Sequence, residues 1–73
     1  MNYEIIREIK NQCGNNQLRD VFFSEEEIGD PDAWIRRREP RAEEILREDI
    51  PNGIRYHVNE RGLVTVYELT EAE

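Results

Sequence analysis

The sequence predicts a small two-layer α+β domain: a three-stranded, mainly antiparallel sheet with helices packed on one face, in the order α-β-α(broken)-β-β. Three observations predict it. Residues Gly53 to Leu69 hold two runs rich in β-branched and aromatic residues joined by a polar turn that ends in Gly62. Residues 3–13 carry apolar side chains at helical spacing, and Asp30-Pro31-Asp32 is a helix start. With 73 residues there is room for one domain, spanning 1–73, and for a core of modest size.

Taken in order, Ile5, Ile6, Ile9 and Cys13 fall on one stripe of a helix over 3–13, with Asn2 as its cap and Gly14 at its carboxyl end. Leu18 to Glu26 reads as a strand, because Val21, Phe22 and Phe23 are strong strand formers. Alternation sends Val21 and Phe23 one way and Phe22 the other. Asp30 then caps a helix that has Pro31 at its first position and Asp32 in its first turn. That helix carries Ala33, Trp34 and Ile35, and breaks or kinks at Glu39-Pro40. A second helical piece is expected from about Pro40 to Glu48, or one kinked helix over 31–48. Ile50-Pro51-Asn52-Gly53 is turn chemistry leading into the hairpin, and Glu71 to Glu73 a fraying tail.

In the hairpin, a type I turn over Asn59-Glu60-Arg61 with Gly62 left-handed makes a three-residue loop with a bulge. Asn59 then faces Leu63, and Tyr56 faces Val66. Tyr56, Val58, Val64 and Val66 share the core face, while Arg55, His57, Thr65 and Tyr67 share the other. The helices have apolar stripes for one side of such a sheet and little for two. An outward face with Phe22, Arg55, His57 and Tyr67 is therefore expected as a contact surface. Trp34 with Arg36, Arg37 and Arg38 on the second helix is the alternative.

Charge narrows the function classes. Seventeen acids against ten bases give a net charge of −7, and Lys10 is the only lysine. Such a surface repels phosphate backbones and anionic lipid at long range, which counts against nucleic acid and membrane as partners. No apolar run approaches the roughly 20 residues of a membrane span. A single cysteine allows no intramolecular disulfide and no all-cysteine metal site, and a free thiol suits a reducing, cytoplasmic setting. Met1-Asn2-Tyr3-Glu4 has no basic start or apolar core of a signal peptide.

Chemistry-bearing residues are few. Cys13 is a small apolar residue completing a helix stripe, or else a reactive thiol assisted by His57 or a metal ligand shared across a dimer; the carboxyl end of a helix disfavours the thiolate. His57 lacks a serine, cysteine or acid at a recognisable spacing for general-base work. Arg36, Arg37, Arg38 and Arg41 form the one basic cluster, a candidate weak nucleic-acid site, though the acidic stretches on either side suffice to neutralise it. The acidic run before Asp32 lacks the ligand spacing of a calcium loop, and no phosphate loop, zinc, haem or hydrolase motif is present. No cofactor, metal or catalytic residue is therefore assigned. The expectation is a cytoplasmic, non-enzymatic protein-interaction domain, accessory or regulatory, meeting a protein partner or a second copy of itself.

Overall fold

A computed structural model of the chain describes residues 1–10 and 20–72. Its centre is the β4–β5 hairpin, Gly53–Glu60 and Leu63–Ala72. The loop between them is two residues long, not three. Arg61 and Gly62 both take positive φ, 51° and 81°, which is the pattern of a type I′ turn whose twist matches the strands it joins. Glu60 therefore faces Leu63, and Tyr56 faces Tyr67 instead of Val66. That single-residue slip turns every side chain of β5 over. Thr65, Tyr67 and Leu69 are buried, while Val64 and Val66 lie on the opposite face.

A second hairpin stands where a helix is expected. β3, Glu44–Ile50, pairs antiparallel with β4 from Glu44↔Asn59 to Ile50↔Gly53. Pro51 and Asn52 form its loop, with Asn52 at φ 63°, the left-handed position that follows proline in a type II turn. The helical propensities of Glu44, Leu46 and Arg47 give way to pairing with β4. β1, Asn2–Lys10, is likewise a strand and not a helix. Its isoleucines are β-branched, and the sheet uses them on two sides, Ile5 in the core and Ile6 opposite. The part of the expected first helix that holds Cys13 and Gly14 lies outside the described residues.

β1 lies between β2, Asp20–Glu27, and β5, so the order is β2-β1-β5-β4-β3 with all neighbours antiparallel. The expected three-stranded sheet with several helices is thus corrected to five strands and one short helix. The β2 strand pairs with β1, and β5 continues through Ala72 opposite Asn2 where a frayed tail was expected.

The helix, α1, spans Pro31–Arg38. It starts as its sequence dictates: Asp30 accepts from the Ala33 amide at 3.3 Å, and Pro31 occupies the first turn. It ends before Pro40, with Glu39 donating its amide to the Ile35 carbonyl at 2.9 Å. α1 links β2 at one edge of the sheet to β3 at the other, so it must cross one face. There Ile28 and Ile35 bury against Tyr3, Ile5, Ile54, Tyr56, Val58, Tyr67 and Leu69, with Trp34, Ala42 and Ile45 packed around them. This is the helix face. No described element lies over the other face.

Candidate functional site

On the open face the register sets side chains in rows across the sheet. One row reads Phe23, Ile6, Glu68, Arg55, Glu48; the next reads Val21, Glu8, Val66, His57, Leu46. The β2–β1 side is apolar, with Phe23 76% exposed beside Ile6 and Val21. A shallow depression of about 410 Å³ runs between Glu4, Ile6, Phe23 and Glu25 there. The β4–β3 side is charged. Arg55 donates to Glu68 at 3.1 Å and to Glu48 at 3.1 Å, and the His57 Nε2 lies 3.2 Å from the same Glu48 oxygen. The hydrogen bond from His57, then that from Arg55, holds the Glu48 carboxyl below its ordinary range. The two glutamates in turn hold the Arg55 guanidinium charged, Glu68 more than Glu48. The open face thus carries apolar side chains at one end, ordered charges at the other and acids interleaved between them.

The helix face is tied down instead of open. Asp32 accepts from the Tyr56 hydroxyl at 2.5 Å, and both of its carboxylate oxygens accept from Arg47 Nη1 at 3.1 Å. The Tyr56 hydrogen bond, then Arg47, lowers the Asp32 carboxyl. Burial and the same carboxylate push Tyr56 well above the ordinary phenol range. Tyr67 donates to Glu39, and burial, then that bond, pushes its hydroxyl up to about 12. Trp34 meets the Tyr67 ring edge-on at 5.8 Å, and the Arg7 guanidinium sits over both Tyr67 and Phe22, at 5.9 and 5.3 Å. A groove of about 600 Å³ remains between α1 and β3, floored by Ile35, Ala42 and Ile45 and rimmed by acids and by Arg36 and Arg47.

The surface expected from the sequence is therefore divided. Arg55 and His57 do lie together on the open face. Tyr67 does not join them: it is 1% exposed beneath α1, because the slip in register inverts β5. Phe22 is on the helix side of the edge strand, half-exposed under Arg7, while Val21 and Phe23 point the other way as alternation requires. Trp34 is packed on the core and capped by Arg38 at 5.5 Å, which also pairs with Glu26 at 3.7 Å. Arg36 donates to the Asp32 carbonyl at 3.3 Å, and Arg37 and Arg41 are exposed at separate places. The sequence reading missed Ile6, Leu46, Val66, Glu48 and Glu68 as members of the open face. The signal that locates Val66 and Glu68 was the Arg61-Gly62 pair, read as a two-residue loop; that for Leu46 and Glu48 was Pro51-Asn52, read as a hairpin loop.

Among the described residues no three His, Cys, Asp or Glu side chains gather to hold a metal ion, and no helix is long and apolar enough to cross a membrane. Cys13 lies outside the described residues, so its pairing with His57 does too. Compared with protein-family models, with curated proteins and with solved structures, the chain gives no match.

Proposed function

We propose that the chain is a protein-interaction module, accessory or regulatory in role, that docks its partner on the open face of the sheet. One observation carries this reading: the face opposite α1 bears Phe23, Ile6, Val21, Val66 and Leu46, and no described element covers them. Large apolar side chains gathered on an uncovered face mark a contact surface. The acids interleaved with them, Glu4, Glu8, Glu25, Glu44, Glu48 and Glu68, outnumber Arg55 and His57, so the matching partner surface is apolar and rimmed by lysine or arginine.

The test is affinity capture from the source cell with the immobilised full chain. A Phe23→Ser/Leu46→Ser double variant, altering two exposed positions, should lose the captured partner at least about tenfold, as hot-spot truncations do. An Arg36→Ala/Arg37→Ala variant on α1 should keep it, and capture by the wild type should weaken as salt rises. A partner lost only by the α1 variant, or none enriched above an unrelated acidic domain, overturns the reading.

A further inference from the structure

The two edges of the sheet are protected unequally. β3 is seven residues long and charged at Glu44, Glu48, Asp49 and Arg47, the ordinary way of keeping an edge from pairing with another chain. The other edge is β2. Its second half, Ser24 to Glu27, is blunted by three consecutive glutamates. Its first half carries one charge, at Asp20, followed by the uncharged run Val21-Phe22-Phe23, whose side chains are 41%, 52% and 76% exposed on alternate faces. A strand edge that is apolar on both faces is a pairing template.

We infer that two copies of the chain pair antiparallel through β2, forming a two-fold dimer in which the sheets run on from one copy to the other. A two-fold axis normal to the sheet sets one residue opposite itself. With Phe22 on the axis, Phe22 meets Phe22 of the second copy, Val21 meets Phe23, and Asp20 meets Ser24. No glutamate then faces another acid. With Phe23 on the axis, Val21 would face Glu25 and Asp20 would face Glu26, placing like charges opposite and leaving apolar side chains unmatched. The chain's own sequence therefore selects the first register. It sets the two Phe22 rings together on the helix side, each already covered by its own Arg7 at 5.3 Å. It joins the Val21 and Phe23 side chains of both copies into one apolar strip on the open side. Both α1 helices lie on one surface of the dimer and both open faces on the other. The inference rests on the edge and not on the docking reading above.

Net charge of −7 per copy opposes the association, so salt should strengthen the dimer, opposite in sign to the docking of a basic partner. Sedimentation equilibrium of the full wild-type chain needs no variant. Its average mass should climb toward twice the monomer between about 10 µM and 1 mM, the range of a small, weak interface, and climb further in about 0.5 M salt than in 0.05 M. In a Cys13→Ser background, Phe22→Cys should then form an intermolecular disulfide about tenfold faster than Leu46→Cys on the other edge, because opposed residues in an antiparallel pair lie within disulfide reach at roughly 4.5–5.5 Å. A strict monomer at the highest concentration and salt, or equal cross-linking at the two positions, overturns the dimer. A monomer that still captures a partner through its open face would overturn this inference alone.

Discussion

Asp32 joins three parts of the molecule with one carboxylate: it stands in the first turn of α1, accepts from Tyr56 on β4 and pairs with Arg47 on β3. Replacing Tyr56 with Phe keeps the packing and removes the bond, which should cost about 1–2 kcal/mol in urea unfolding. The carboxylates give a sign to the acid response. Asp32 and Glu48 both sit below their ordinary values of 3.8 and 4.5, so they add stability above those values that is lost as pH falls through them. The tyrosines govern the alkaline side. Tyr67 is raised from 10.0 to about 12, and Tyr56 is raised as well, so the fold holds protons that the unfolded chain releases. Their stabilisation is complete below pH 10.0; that of Tyr67 is lost as pH rises from there toward 12, and that of Tyr56, which is raised further, is lost over a wider range above 10.0. The unfolding free energy should fall above pH 10.0, by up to about 1.4 kcal/mol per pH unit for each tyrosine, and less steeply in Tyr67→Phe, as urea unfolding at a series of pH values would show.

At the level of elements, turn length decides which side chains are core. Arg61 holds φ 51° at a position that asparagine or glycine accepts more readily. Arg61→Asn should therefore stabilise the hairpin by about 0.5–1 kcal/mol in chemical unfolding. A destabilised Arg61→Asn protein would favour the three-residue loop. Gly53 begins β4 where a Cβ would lie 1.9 Å from the Leu69 carbonyl oxygen, so Gly53→Ala should cost about 1–3 kcal/mol or more in the same assay. The hairpin strands, the β2 strand and the Asp30-Pro31 helix start were legible in the sequence, since each rests on local chemistry: β-branched runs, a capping side chain, a proline at the first turn. β1 and β3 were not. Ile5, Ile6 and Ile9 fit a helical stripe as well as a strand whose two faces are both partly apolar, and only pairing with β5 and β2 separates the two. In β3, charged residues of good helix propensity are held as a strand by β4; the clue was Pro51-Asn52, a hairpin loop and not only a lead-in to one.

For the molecule as a whole, a sheet of five strands crossed by an eight-residue helix has more surface than that helix covers. Ile35 is the buried residue of α1, so Ile35→Ala should cost about 2–5 kcal/mol and loosen the helix face as a unit. The candidate site was half legible: an uncovered face with Arg55 and His57 follows from the scarcity of helix, whereas Tyr67 was assigned to it because a one-residue error in the loop inverts a whole strand. Everything proposed for the open face depends on that register. The most direct measurement is NMR with a soluble paramagnetic agent, which broadens side chains that meet solvent. The expected result is strong broadening for Val66, Ile6, Leu46 and the Phe23 ring, and protection for Leu69, Ile5, Ile35 and the Tyr67 ring. Protection of Val66 together with broadening of Tyr67 would contradict the register and, with it, the open face as described.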